Sequence, residues 1–517
     1  MDSLYKKNSN GKETISTNPS ESQIQKFYAG KSIFLTGSTG FMGKVLVEKY
    51  LRSCPDIKRL YVLIRPKRGS SFEERMKTFF DDVLFQELLK ANPGCKSKVY
   101  PVSGDLVSEN LGMSEADRNL LIEDVSYFIH NASNVRFTEK MGSALRINVL
   151  GTLQMLNFAK ECKKVEAFMY VSTAFCHGYE TVIREQVLEK PADIELTKKI
   201  IAAEAATKDG FSEEQIKEII GHYPNVYCFT KATAEGLVDA MSGEVPFKCL
   251  IYRPSIVIST WKEPIRSWCG NMNGPGALFI GYGLGVMRTA YLLDYVVDLV
   301  PVDMTINSMI VSMWDVTENR PSNSGAFIFN YGTSSHKPIT FRKFKKHCLP
   351  QDPYVTPPSI HTVWPQGCVF TECPYYFAIL NVLFHIIPAL LVDGYLKLTG
   401  KKAMAMPIYK KGMMNFDAVM QFIHSNYRLE VVGIHKAVDR LNATDRSLFY
   451  CDLRELDWID YCKTYWGGLR EYLLKDPPST IPKANKKFQK LLMYQSILRY
   501  TVIAVVVYLL LWLFGIF

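Results

Sequence analysis

The stretch SIFLTGSTGFMGKVLVEKYLR, residues 32–52, starts as an uncharged apolar run, passes through Gly37, Gly40 and Gly43, and leaves with helical periodicity. An apolar strand that turns through glycine into a helix predicts the opening unit of a strand–helix–strand fold. The glycines fall where the strand's carboxyl end meets the helix N-terminus. Backbone N–H groups and the helix dipole at such a junction can hold a pyrophosphate, and Thr39 to Gly43 would give close backbone approach. A lone GxxGxxG spacing equally suits helix-packing glycines, so the reading rests on the remainder of the chain.

Beyond residue 52 the alternation repeats. RLYVLIRP (59–66), KVYPVSGDL (98–106), VSYFIHNAS (125–133), EAFMYVSTA (166–174) and KCLIYRPSIVI (248–258) read as strands, with helical segments such as 144–162 between most of them. The predicted class is α/β, a Rossmann-like, doubly wound, mostly parallel sheet with helices on both faces. The second strand ends in Arg65, followed by Pro66, Lys67 and Arg68. An acid at that place suits the ribose 2′-hydroxyl of NAD, whereas a base accommodates a 2′-phosphate, so NADPH is the expected cofactor. Asp56 has the nominal spacing for an acid but lies before the strand.

Among the 28 tyrosines, only Tyr227 has a lysine four residues later, in YCFTK (227–231). Positions i and i+4 share a helix face, so Tyr227 and Lys231 would point together into one cleft. A free phenol titrates near 10, and a neighbouring ammonium would bring it towards the working range for proton transfer. A strand-end hydroxyl, Ser172 or Thr173 of VSTAF, could orient a carbonyl beside them.

At 517 residues, 47% hydrophobic and 22% charged, the chain can form two or three packed domains. Its 12 cysteines are scattered without a CxxC pair, which suits reduced thiols and no metal site. The net charge of +10 comes without a basic block interleaved with aromatics, so no nucleic-acid partner is expected. Residues 1–30 are polar and read as a flexible tail. Residues 501–517 carry no charge and, as a helix, would span about 26 Å, enough for a thin bilayer. Lys483, Lys486, Lys487, Lys490 and Arg499 precede them without an acid, which puts that flank on the cytosolic side. A second apolar run, 374–392, contains Asn381, His385 and Pro388 and reads as a poor simple span, with a hairpin in the interface or under the catalytic domain as the alternatives.

The order TGSTGFMG, GDL, HNAS, INVLGT, VSTA, YCFTK, YRPSIV resembles an extended short-chain dehydrogenase/reductase. FTKATAE, RPSIVISTWKEP, NMNGPGALF and DLVPVDM narrow the likeness to the fatty acyl-CoA reductases, the male sterility family. It covers about residues 30–350 and resumes in HIIPALLVDGYLKLTG (385–400). The resemblance implies reduction of a long-chain acyl-CoA by two NADPH to a primary alcohol. It implies Tyr227 as general acid, Lys231 as its partner, and Thr173 or Ser172 as the orienting hydroxyl. Gly37, Thr39, Gly40, Phe41 and Gly43 would hold the pyrophosphate, Arg65 and Lys67 the 2′-phosphate, and Asp105 and Leu106 the adenine. Pro254 and Ile256 would meet the nicotinamide, and Asn148 would make a structural hydrogen bond. Cys176-His177 stands where many relatives carry Cys-Asn. The implied domains are a tail (1–30), an NADPH-binding reductase domain with substrate-binding insertions (31–350), a mainly helical C-terminal module (351–480), and a basic flank with membrane anchor (481–517). Membrane lipid is thus an expected partner, with the endoplasmic reticulum favoured and the peroxisome an alternative. A steroid or sugar-nucleotide reductase, a reductase stopping at the aldehyde, and a silent NADPH-binding scaffold are the rival readings.

Overall fold

The computed structural model describes residues 5–7, 13–15 and 21–515, apart from 66–71, 137–138, 189, 273, 322–324, 350–355 and 425. Seven parallel strands form the central sheet: β1 (Ser32–Thr36), β2 (Arg59–Ile64), β3 (Val99–Ser103), β4 (Tyr127–His130), β5 (Ala167–Val171), β6 (Lys248–Pro254) and β7 (Phe327–Tyr331). Their order across the sheet is β3-β2-β1-β4-β5-β6-β7, so the winding reverses between β1 and β4. Leu35 of β1 lies opposite Val62 on one side and Ile129 on the other. All five residues of β1 are buried, as a strand covered by helices on both faces requires. In such a sheet, ligands bind outside the carboxyl ends of the strands at the reversal point.

The six strands read from the sequence are all present. The seventh, β7, was not read: FIFNY is short and comes after a Ser/Asn/Gly turn, and only pairing with β6, Phe329 opposite Tyr252, makes it a strand. The chain on the two sides of residues 350–355 shares one apolar cluster, running from Ile24 to Leu469. Phe279 and Phe344 pack on Tyr465, with ring centroids 5.2 and 5.5 Å apart, so the C-terminal module helps to form the reductase core.

The expected flexible tail is corrected over its last residues. Gln23–Tyr28 is a helix, capped by Ser22, that buries Ile24, Phe27 and Tyr28. The spacing i, i+3, i+4 gives it one apolar face. Its start is pinned by buried Asp445 of the C-terminal module, which accepts from Ser22 Oγ (2.5 Å), Gln23 N (3.0 Å) and Ile24 N (3.4 Å). Asp445→Ala leaves these donors without their acceptor, at roughly 1–3 kcal/mol for each buried orphan. Thermal unfolding of the variant should begin several degrees lower, and limited chymotrypsin digestion should cut at Phe27 or Tyr28. An unchanged midpoint with a protected N-terminus would show that the clasp contributes nothing.

Candidate active site

The turn after β1 is built on close backbone approach. Gly37 has φ +73°, and a Cβ there would lie 2.8 Å from Ala132 N. A Cβ on Gly43 would lie 2.1 Å from Gly37 O and 2.6 Å from Ser38 Cα, so only glycine lets the helix Phe41–Ser53 sit against its own entry turn. That helix starts at Gly40, without a side-chain cap, and its first N–H groups are left for a ligand. The residues therefore fit a dinucleotide pyrophosphate.

Tyr227 and Lys231 lie in the first turns of the helix Val226–Ser242, which Asn225 caps by accepting from Cys228 N. Lys231 is fully buried. Its Nζ donates to Val171 O at 2.7 Å and lies 4.4 Å from the Tyr170 ring centroid. Burial brings its pKa down to about 7, against the opposing pull of Glu235. Burial likewise raises the Tyr227 phenol, with Cys228, Cys176 and Glu235 adding to the rise and the hydrogen bond with Thr173 opposing it. The expected activation of the phenol by an adjacent ammonium is corrected here. Burial makes the lysine itself give up charge, and Tyr227 stays a protonated phenol at neutral pH. The folded lysine titrates below its unfolded value, so this group disfavours folding below about pH 7 and its cost fades as pH rises towards the ordinary lysine range.

A chain of hydrogen bonds ties the glycine turn to this helix. Ala132 N donates to Thr36 Oγ1, which lies 2.8 Å from His130 Nδ1; His130 Nε2 lies 3.1 Å from Thr152 Oγ1. Thr152 gives its own proton to Asn148 O at 2.7 Å, so it can only accept from the ring. His130 therefore carries its proton on Nε2, and Thr36 donates to Nδ1. Burial holds this histidine neutral, with its pKa near 3. Asn148 sits in a π turn, Arg146–Leu150. It donates to Thr230 Oγ1 (3.0 Å) and Asn134 O (3.2 Å), and accepts from Asn134 N (2.8 Å) and Ser133 Oγ (3.0 Å). Its four bonds make it a structural brace between the strand end and the tyrosine helix.

Below the tyrosine lies a dry ionic cluster. Arg253 grips Glu235 through Nε at 2.9 Å and Nη2 at 2.5 Å, and the guanidinium also donates to Arg184 O and Gln186 O. Cys176 Sγ donates to the same carboxylate at 3.1 Å, and His177 Nε2 lies 3.1 Å from it. Cys176, His177 and Glu235 have the residue types of a metal site. The guanidinium already neutralises the carboxylate, however, and burial raises the Cys176 thiol well above its usual range. The cluster reads as an ion-pair network, and it places Cys176-His177 behind the pocket wall.

A cleft of about 2650 Å³ opens at the reversal point of the sheet. Gly37, Thr39, Gly40, Phe41, Arg65, Asp105, Leu106, Thr173, Tyr227 and Ile256 all line it. Gly43, Ser172, Lys231 and Pro254 lie behind that wall, and Lys67 falls outside the described residues. Of the two candidate hydroxyls, Thr173 faces the cleft and bonds Tyr227, while Ser172 does not line it. Sequence reasoning missed Arg75, which lines the cleft and donates to the Arg65 carbonyl. It also missed Trp268, which stacks on Phe41 at 5.5 Å.

The far end of the cleft is apolar. Leu278, Met287 and Trp364 line it together with the stretch 374–398, the helix Ala405–Ile423 and part of the helix Ile481–Leu513. Pro374–Leu398 and Pro478–Leu513 are long and apolar enough to cross a membrane, with 11% and none of their most apolar windows buried. The first of these is tied to the reductase at mid-length. His385 Nε2 accepts from Arg288 N at 2.9 Å, and Asn381 donates to Tyr409 Oη at 2.7 Å. Asp393 caps the returning helix by accepting from the backbone of Met404, Ala405 and Met406. The segment is therefore one arm of a helical hairpin resting on the catalytic unit.

Family profiles described as male sterility protein match residues 35–309, the NAD-binding part, and residues 384–476. Fatty acyl-CoA reductase wat of Drosophila melanogaster is 33% identical over 95% of this chain and 93% of its own. Human fatty acyl-CoA reductase 1 is 33% identical over 90% of this chain and 89% of its own. Among solved structures, the terminal R domain of the myxalamid PKS-NRPS pathway has a TM-score of 0.58 at 20% identity, covering 87% of this chain and 93% of that one. The R domain of a Mycobacterium tuberculosis non-ribosomal peptide synthetase has a TM-score of 0.53 at 17% identity, covering 86% and 92%. These two structures share the fold.

The ionic cluster makes a prediction of its own. Glu235→Gln leaves Arg253 buried without its counter-charge, a change of roughly 3–5 kcal/mol. The variant should unfold at markedly lower temperature. Glu235→Leu combined with Arg253→Met should lose less than the two single changes together. Additive losses would show that the pair is not coupled.

Proposed function

We propose that this chain, which belongs to the male sterility family of fatty acyl-CoA reductases, reduces long-chain fatty acyl-CoA with two NADPH to a primary alcohol and free CoA, by way of a bound aldehyde. The observation that carries this reading is the Thr173–Tyr227 hydroxyl pair, set on one cleft between a pyrophosphate-type glycine turn and an apolar end. An acyl thioester needs a proton donor at its carbonyl oxygen and an apolar wall for its chain, and both are present.

The cofactor supplies hydride. Gly37, Thr39, Gly40 and Phe41 would hold its pyrophosphate, and Gly43 would let the helix approach. Asp105 and Leu106 would border the adenine, and Ile256 the nicotinamide. Arg65 and Arg75 support the choice of NADPH. They are two neighbouring cations on the cleft wall, and Arg65 depresses the pKa of Arg75 in addition to the effect of burial. An anionic 2′-phosphate would relieve that repulsion. Tyr227, a protonated phenol in the free protein, gives its proton to the substrate oxygen while Thr173 Oγ1 orients it. Lys231, titrating near neutrality behind the cleft wall, would return a proton to Tyr227. The resulting tetrahedral adduct returns its hydroxyl proton to the Tyr227 phenolate as its carbon–sulfur bond breaks, CoA leaves as thiolate, and the aldehyde is reduced in the same way in a second round. The exposed apolar helices and the basic run Lys483–Arg499 support attachment to a membrane with the cleft facing the cytosol, the endoplasmic reticulum being favoured over the peroxisome.

Gas chromatography of membranes containing the chain, fed palmitoyl-CoA and NADPH, should show hexadecanol as the product. Hexadecanal accumulating without alcohol would overturn the second reduction. Tyr227→Phe should abolish turnover with NADPH binding retained, and near-normal alcohol formation would remove the tyrosine from its role.

Arg65→Ala tests the cofactor choice. The loss of a charge-assisted phosphate contact, about 1.5–3 kcal/mol, should raise the KM for NADPH by on the order of tenfold or more and leave NADH use little changed. Equal losses with both cofactors would make Arg65 a fold residue.

A further inference from the structure

The apolar end of the cleft does not close. Phe384, Pro388 and Val392 line it from one side, and Leu498, Val502 and Ile503 from the other. Val392 is 48% exposed, and Leu498, Val502 and Ile503 are 53%, 52% and 47% exposed. The same residues therefore face the cleft and the surroundings of the protein, so the cleft opens sideways between the hairpin and the terminal helix.

The chain itself indicates the surroundings of that opening. Arg499 and Ser496 also line the cleft, and Lys411 stands on its wall. Arg499 is the last charge of the sequence. Val502 lies about 4.5 Å further along the helix, on the uncharged side of this boundary. The outer face of the hairpin continues the same surface, with Tyr375, Leu391, Tyr395 and Leu398 strongly exposed. A charged rim with an apolar gap one turn beyond it matches the level where lipid headgroups give way to acyl chains.

Resting on the membrane-bound reductase reading, we infer that this gap is a lateral port. The alkyl chain of the substrate reaches through it towards the bilayer, and the fatty alcohol leaves by it into the lipid with its hydroxyl last, past Arg499, Ser496 and Lys411. A product with a long alkyl chain would lose the hydrophobic stabilisation of its whole chain by leaving through water, about 0.8 kcal/mol per methylene, whereas passage into lipid keeps it. The polar end of the cleft is then free to exchange cofactor while the aldehyde stays.

The test uses the full chain in phosphatidylcholine vesicles with hexadecanol carrying a photoactivatable diazirine at its far end. Adducts should map to 384–392 and 498–503, and unlabelled hexadecanol at ten times its Kd should suppress them about tenfold. Val502→Trp, which fills the gap, should reduce labelling of 384–392 by a similar factor. Adducts elsewhere on the chain, or adducts in these stretches that neither competitor nor Val502→Trp diminishes, would overturn the port. The readout does not depend on turnover. Alcohol formation from palmitoyl-CoA in the same vesicles, without the competed label, would sink the port and leave the reductase standing.

Discussion

A close backbone approach in the glycine turn, the Cα of Gly43 against the carbonyl of Gly37, sets the rest of the arrangement. A Cβ at residue 43 would stand 2.1 Å from that oxygen, so the contact requires glycine at 43. It brings the start of Phe41–Ser53 to the end of β1 and aims the free helix N–H groups into the reversal point of the sheet. The same turn presses on Asn131 and Ala132 through Gly37. From there the Thr36, His130, Thr152 and Asn148 chain carries its position to Thr230 on the tyrosine helix. The glycine turn and the Tyr227 helix are thus held in one rigid frame by neutral groups that are buried and bonded.

That frame was legible in the sequence because its signals are local. The glycine turn, six apolar strands, a basic residue ending the second strand and a Tyr-x-x-x-Lys spacing each span fewer than a dozen residues. The parts that were not legible depend on distance along the chain. β7 is a strand through β6, Arg75 is a cleft residue through the Arg65 carbonyl, and Gln23–Tyr28 is a fixed helix through Asp445, some four hundred residues away. Choosing Thr173 over Ser172 needed the direction of two adjacent side chains at a strand end, which alternation alone leaves open.

The tyrosine–lysine pair shows how burial changes a correct motif into a different electrostatic state. Read on an open helix, an ammonium one turn away lowers a phenol. Here Tyr227 is half-buried on the cleft wall and Lys231 fully buried behind it, and desolvation penalises the charged form of each, so the phenol rises and the lysine falls. Glu235, one further turn along, is the acid that pulls Lys231 back towards its charged form. Its charge is already shared with Arg253, Cys176 and His177. The cluster therefore keeps the lysine from losing its proton entirely, without fixing it as a permanent cation.

The same reasoning explains why the C-terminal part belongs to the cleft. A reaction that must hold an aldehyde between two hydride transfers needs one end polar enough to exchange a charged cofactor and another apolar enough to retain an alkyl chain. One globular unit rarely leaves both ends open, because an apolar opening facing water has no free-energy advantage over collapse. Against lipid that penalty vanishes, and an open apolar end becomes stable. The hairpin is fixed at its midpoint to Arg288 and the terminal helix contributes Leu498 to Ile503 as the opposite wall. In the membrane-bound reading proposed above, lipid contact would let the cleft be closed to water around the chain and open along it.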